Sequence, residues 1–249
     1  MMKLKNPICL GGGHGVRAYL HQDLQRFSID LDFYTNEGNI HNMLKEISKF
    51  RALEPVGYGL ESEGKFKRYD SAVPADLKKC TVALLKRYSQ SFKSGAISQE
   101  FYVTISNTLD LGRYEMRKPK SYIGIEYVKE EVPVLPPALI IASKIRIIPH
   151  RKIKDLYKDI FDIFALLKLS DLSVDEAEIV AALSATGSRV RKPELFQKFK
   201  ETSDAGNARN AIKLPSESRR NYLEDWNSVN SFVKQEALTV LERAGMLDG

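Results

Sequence analysis

The sequence predicts an α/β fold, more narrowly α+β: an N-terminal lobe with a mixed sheet over residues 1–135, then a mainly helical lobe over 136–249. Three observations predict it. In RFSIDLDFY at 26–34, Phe27, Ile29, Leu31 and Phe33 alternate with Ser28, Asp30 and Asp32, the period of a strand with one buried face. A proline-rich break, Pro133-Val-Leu-Pro136-Pro137, interrupts the chain. Beyond it the apolar residues recur at helical rather than strand spacing.

The elements follow in order. Ile8-Cys9-Leu10 reads as a short strand running into a glycine loop, Gly11-Gly12-Gly13-His14-Gly15, and a short helical pattern continues through Val16, Ala18, Tyr19, Leu20 and Leu24. The Asp30/Asp32 strand comes next, then a helix over roughly 39–50 with Ile40, Met43, Leu44, Ile47 and Phe50 on one side. A glycine-rich turn is expected near Gly57–Gly64. Strands are expected in CTVALLKRYSQSF (80–92), EFYVTISNTL (100–109) and SYIGIEYV (121–128), all rich in β-branched and aromatic residues. Helices are expected at about 137–148 and 152–168, and from Ser173, where Ser173-Val-Asp-Glu176 spells a capping box. Two more follow at about 193–202 and 217–245, joined by a polar, mobile loop, TSDAGNARNAIKLPSES.

The composition is that of an ordinary soluble protein, 43% hydrophobic and 28% charged. The opening MMKLKNPICLGGG has too short an apolar run for a signal peptide, and no stretch reaches the roughly 18 apolar residues of a membrane span. Cys9 and Cys80 lack CxxC spacing and read as buried free thiols of a cytoplasmic protein, and the four histidines form no zinc pattern. A formal charge of +6 suits a polyanionic partner such as nucleic acid or nucleotide phosphate, or solubility alone.

The chemistry starts with Asp30 and Asp32. Carboxylates at i and i+2 on a strand lie roughly 6–7 Å apart and repel. A divalent cation turns that repulsion into coordination, and Mg²⁺ suits the pair because it takes a few carboxylates and completes its shell with water and phosphate oxygens. The glycine turn upstream can approach phosphates closely, and the helix that follows it favours anions. The alternative is the solvent face of an edge strand. A dinucleotide-binding unit also pairs a glycine loop with a later acid, but GGGHGV does not spell GxGxxG: Gly11 and Gly13 would require glycine where Val16 stands.

GGG followed by RFSIDLDF resembles the N-terminal signature of the AbiEii/AbiGii (MenT-like) nucleotidyltransferase toxin family, within the DNA-polymerase-beta-like superfamily. Its pattern, GG[ST] then RxSxDxDF, is matched by Gly11, Gly12, Arg26, Ser28, Asp30 and Asp32. Gly13 stands where the family has Ser or Thr, removing a hydroxyl near the phosphates. The resemblance extends to two later helices. PPALIIASKIRII (136–148) is similar to the family's lysine helix, placing that lysine at Lys144, and RKIKDLYKDIFDIFALL (151–167) is similar to its lysine–aspartate helix. Two registers fit the second helix. Lys158-Asp159 runs better into the apolar IFALL segment, which favours Asp159 over Asp155. Asp155, Asp159 and Asp162 also stack at i, i+4 and i+7, an unfavourable arrangement unless cations or a metal face them.

The resemblance implies a nucleotidyltransferase, with the site between the lobes, that moves NMP from an NTP to an acceptor hydroxyl and releases pyrophosphate. Asp30 and Asp32 would bind Mg²⁺, with a third carboxylate from Glu126. Gly11, Gly12, Gly13, Arg26 and Ser28 would hold the nucleotide, and Lys144 and Asp159 would complete the catalytic set. It further implies a toxin whose acceptor is tRNA or another RNA, with a cognate antitoxin as partner. Three readings stay open from the residues alone: another acceptor, protein or small molecule; a non-catalytic nucleotide- or RNA-binding module; and a plain interhelical salt bridge for Lys144 and Asp159. The cluster Arg189-Val-Arg191-Lys192 with Lys198 and Lys200 reads as a solvated helix face or an RNA-backbone contact, and Arg151, Lys152 and Lys154 as the better acceptor contacts.

Overall fold

The computed structural model describes residues 8–28, 31–36, 54–60, 66–68, 80–92, 95–108, 114–117, 131–185, 189–214 and 221–249. The helix expected at 39–50, the strand expected at 121–128, and residues Asp30 and Glu126 lie outside them. The described residues divide into two compact units. One takes its members from Met1–His14, Ser28–Met116 and Val132–Leu135; the other takes Gly15–Phe27, Arg117–Glu131 and Pro136–Gly249.

The first unit is built on a mixed sheet, as the alternation predicts. Its strands are β1 (Ile8–Leu10), β2 (Leu31–Asn36), β3 (Glu54–Leu60), β4 (Phe66–Arg68), β5 (Cys80–Phe92), β6 (Gly95–Thr108), β7 (Glu115–Arg117) and β8 (Val132–Val134). They run in the order β4-β3-β5-β6-β2-β1-β8-β7. β1 pairs antiparallel to β2 and parallel to β8, and β2 pairs parallel to β6, so β1 and β2 are interior strands. β5 and β6 form an antiparallel hairpin whose register runs from Phe92↔Gly95 to Thr81↔Ser106. Two expectations change here. The glycine-rich turn near Gly57–Gly64 is in part the strand β3, because pairing with β4 and β5 on both sides outweighs the poor strand propensity of Gly57 and Gly59. Val132–Val134, expected only as a break, pairs with β1.

Helix α1 (Gly12–Arg17) follows β1 directly. The glycines are therefore its first turn rather than a loop before it. Gly12 has φ +55, a conformation only glycine adopts without strain, which lets the chain turn from strand into helix in one residue. The unit boundary between His14 and Gly15 falls inside α1.

The second unit is helical: α2 (Pro137–Ile147), α3 (Ile153–Phe164), α4 (Glu176–Ser184), α5 (Lys192–Glu201), α6 (Ala205–Ala211) and α7 (Trp226–Arg243), with a small sheet of β9 (Val190–Arg191) against β10 (Leu247–Asp248). Pro136 and Pro137 start α2, where a missing N–H costs nothing. α3 widens into a π-helical turn over Ala165–Leu169. The cap of α4 is Asp175, whose side chain accepts from the Ala177 N–H, rather than the expected Ser173. Within the polar segment read as a loop, Asp204 caps the short α6 by accepting from Asn207 N–H at 2.6 Å. The long C-terminal helix starts at Trp226 and ends at Gly245, φ +65, with the Met246 N–H bonded back to Leu241 O.

The core of this unit gathers Tyr157, Phe161, Phe199 and Trp226, all buried. The Tyr157 and Trp226 rings lie 5.6 Å apart, and the Trp226 indole N–H donates to Thr202 O at 2.6 Å, tying α7 to the end of α5. Trp226→Phe strands that buried carbonyl, so urea unfolding should show a loss of about 1–3 kcal/mol. Unchanged stability would contradict this anchor.

Candidate functional site

The first group of residues sits on the sheet. The β1–β2 register sets Leu10 opposite Phe33, and the next pair is closed by the Gly11 N–H, which donates to Asp32 O at 2.8 Å. Asp32 is thereby fixed beside the start of α1. A Cβ on Gly12 would overlap the Asp32 carboxylate, and one on Gly11 would overlap the Tyr34 ring. Glycine at both positions is thus required by packing as well as by φ at Gly12. Gly11 and Gly13 are buried, while Gly12, Ser28 and Asp32 are half-buried.

A half-buried carboxylate offers hard oxygen ligands of the kind Mg²⁺ takes, and here it lies directly against a glycine backbone that admits close approach. Asp32, the one expected ligand among the described residues, is of the chemical kind that suits such an ion. Among the described residues no group of three or more His, Cys, Asp or Glu side chains could hold a metal. The other two expected ligands, Asp30 and Glu126, lie outside those residues. Cys9, on β1, is buried and its thiol is pushed up to about 11 by burial, so it is no ready nucleophile.

The second group is a chain of charges inside the helical unit. The Arg26 guanidinium forks onto Asp162, Nε to Oδ1 at 2.7 Å and Nη2 to Oδ2 at 2.6 Å, and its Nη1 donates to Phe27 O at 3.1 Å. Lys144, on α2, bridges two acids of α3: its Nζ lies 2.6 Å from Asp159 Oδ1 and 2.8 Å from Asp162 Oδ2. Arg151, between the helices, donates from Nε to Asp159 Oδ2 at 2.7 Å. The order is Arg26–Asp162–Lys144–Asp159–Arg151, three cations on two anions. The side chains of the first four are at most 8% exposed and that of Arg151 is 43% exposed, so the chain opens to solvent at one end.

The helical period explains this placement. Asp159 and Asp162 are one turn apart on the buried side of α3, and the cations they need come from α2, the turn after it and the segment before Phe27. Asp155 is exposed enough to pair instead with Lys158 at 3.3 Å. Of the two registers, then, Asp159 is the acid buried against Lys144. Asp162 was not among the expected site residues, and Arg151 was expected as an acceptor contact rather than as a partner of Asp159. The run of three acids without a base signalled that cations must face α3, but nothing local points to Arg26 across 136 residues.

Burial disfavours the charged form of Asp159, but Lys144 and Arg151 outweigh it and hold the carboxyl at about 2. Burial likewise pulls the Lys144 ammonium down, and Asp159 with Asp162 reverses this and raises it. Arg26 is raised by Asp162 against the same cost. All three therefore stay ionised at neutral pH. A folded-state value below the ordinary 3.8 means that Asp159 stabilises the fold above that pH and loses its contribution as pH falls towards about 2. Between those limits wild-type unfolding free energy should fall more steeply with acid than that of Asp159→Asn, measured by urea titration at each pH. Parallel profiles would contradict the assignment.

The comparisons with known proteins follow this geometry. Residues 3–232 match the family described as Nucleotidyl transferase AbiEii toxin, Type IV TA system. No curated protein matches the chain. Similar solved structures include JHP933 from Helicobacter pylori, 15% identical over 97% of this chain and 86% of that one, with a TM-score of 0.46. MenT4, the nucleotidyltransferase toxin Rv2826c from Mycobacterium tuberculosis H37Rv, is 12% identical over 98% of this chain and 86% of that one, with a TM-score of 0.47. The family match spans both the sheet that carries Asp32 and the helices that carry the buried charges, and by it the chain belongs to the AbiEii nucleotidyltransferase toxins, enzymes of toxin–antitoxin systems in which a cognate antitoxin is implied.

Proposed function

We propose that this nucleotidyltransferase transfers NMP from an NTP to an acceptor hydroxyl on RNA, tRNA foremost, in the cytoplasm, and that it uses Mg²⁺. The observation that supports this reading is the half-buried Asp32 carboxylate seated against Gly12 at the start of α1, an oxygen ligand of the kind Mg²⁺ takes. Asp30, Asp32 and Glu126 are the residues that would hold the ion. Such an ion supplies charge neutralisation at the phosphates and lowers the pKa of the attacking hydroxyl.

The other assignments rest on the chain's own groups. Gly12 and Gly13 would serve the triphosphate through backbone N–H groups at the start of α1, with Asp32 and Tyr34 packed against Gly12 and Gly11, and Ser28 would offer a hydroxyl. Arg26 serves nucleotide binding indirectly, since its fork is committed to Asp162 and its Nη1 to Phe27 O. Lys144 keeps its proton at neutral pH through its two acids and so contributes a fixed positive charge for the leaving pyrophosphate. Asp159 holds that ammonium in one place, with Arg151 fixing its second oxygen. The acceptor's sugar hydroxyl attacks the α-phosphorus, the bond to the bridging oxygen breaks, pyrophosphate leaves, and the hydroxyl proton passes to solvent or a site carboxylate.

The test is incubation of the protein with total tRNA, Mg²⁺ and each α-labelled NTP in turn. Wild type should place label on RNA, and Asp32→Ala should lower the rate by on the order of 10³, since several kcal/mol of transition-state stabilisation go with the ligand. Equal labelling by Asp32→Ala, or no labelled RNA with any of the NTPs, would contradict the proposal.

A further inference from the structure

The helical unit carries a groove that the proposed chemistry does not use. It lies between α5 and α7, and has a volume of about 550 Å³, within the roughly 300–1,000 Å³ typical of ligand sites. From α5 it takes Phe196, Gln197 and Lys200, neighbours on one helical face; from α7 it takes Asn230, Ser231 and Lys234. Phe196 is 38% exposed, unusual for a ring of that size. The Lys234 ammonium lies over the ring, 4.0 Å from its centre.

Among the described residues that line it, the charged ones are Lys200 and Lys234, and none is an acid. The neighbouring acids are engaged: Glu194 accepts from Arg191 at 3.1 Å and Glu201 from Gln197 at 2.9 Å. Asn230 is buried and fixed by its bond to Phe199 O, which makes the floor rigid. The groove's helix is also tied to the buried charges, because Lys198 donates to Arg151 O at 2.9 Å and Arg151 holds Asp159.

We propose that this groove docks a single strand of RNA, with a base on the Phe196 ring and flanking phosphates on Lys200 and Lys234. A partly exposed aromatic ring with cations beside it is the combination that single-stranded nucleic acid uses, since every base has a π-face and every linkage a charge. Gln197 and Ser231 supply hydrogen-bonding groups for base or ribose edges. The ammonium now over the ring is placed to pair with a phosphate when a base stacks there. The inference rests on the reading of RNA as acceptor and deepens it by giving that acceptor a surface.

The experiment is fluorescence anisotropy with a labelled single-stranded RNA of about 12 nucleotides, a length within known single-strand site sizes, in EDTA and without NTP, over a range of salt. Binding is then read apart from transfer, so a failure of the catalytic reading leaves this measurement unaffected. Phe196→Ala should weaken binding by roughly tenfold or more with the salt slope kept, and Phe196→Trp should restore affinity. Lys200→Gln with Lys234→Gln should lower the slope of log K against log salt by about 1.4, two phosphates at about 0.7 each. Wild-type affinity in Phe196→Ala or in the double lysine variant, or no rescue by Trp, would overturn the proposal. Failure of the wild-type protein to bind the RNA would also overturn it and leave the groove to a protein partner.

Discussion

The arrangement of the helical unit depends on one constraint, the mutual neutralisation of five charges of which four are buried. Taking an ion out of water costs several kcal/mol, and a pair recovers that only with near-ideal geometry. Here the geometry is close to ideal: the links of the chain lie between 2.6 and 2.8 Å, and Asp162 receives both a bidentate guanidinium and an ammonium. Each ion is tolerable only while its neighbours are in place. α2, α3, the turn between them and the segment ending at Phe27 are therefore locked as a set, although apolar residues in the same positions could stabilise the fold as well. The ammonium of Lys144 is the group whose charge the proposed chemistry needs.

The sheet unit obeys a different constraint, steric rather than electrostatic. The close approach of β2 to the start of α1 leaves no room for a Cβ at Gly11 or Gly12, and the reward is a carboxylate against bare backbone. Arg26 precedes Ser28 and the strand by only a few residues, so the electrostatic lock and the steric one act on a single short stretch of chain. Helix α5 is linked to the lock in turn, since Lys198 donates to Arg151 O and Arg151 holds Asp159.

Much of this was legible in the sequence where the signal is local. The bounds of β5 coincide with the β-branched run at 80–92, and β1 with Ile8–Leu10, because apolar period and propensity agree there. The prolines opening α2 and the stripe of α3 announced both helices. Lys144 and Asp159 were legible through family resemblance, and their pairing follows from the apolar stripe that fixes the rotation of α3. What stayed hidden depends on partners distant in sequence. Gly57 and Gly59 enter a strand because two neighbours pair with it, Asp204 caps a helix in a stretch whose polarity suggested loop, Asp175 rather than Ser173 caps α4, and the fork of Arg26 onto Asp162 has no local trace. The glycine turn misled for a sharper reason: a single residue at positive φ lets a helix begin on glycines that propensity alone would leave outside it.

The central claim is that the buried charges serve transfer rather than folding, and the most direct measurement replaces one pair by apolar residues of similar size. Lys144→Met with Asp159→Leu removes one cation and one anion together, leaves Arg26 on Asp162, and releases the partly exposed Arg151 from its bond to Asp159. Urea unfolding and NMP transfer from labelled NTP to tRNA would be measured on the same preparation. The account predicts a folded protein of near wild-type stability, within about 2 kcal/mol as such replacements commonly are, with no detectable transfer. Transfer at the wild-type rate by that stable double variant would contradict it.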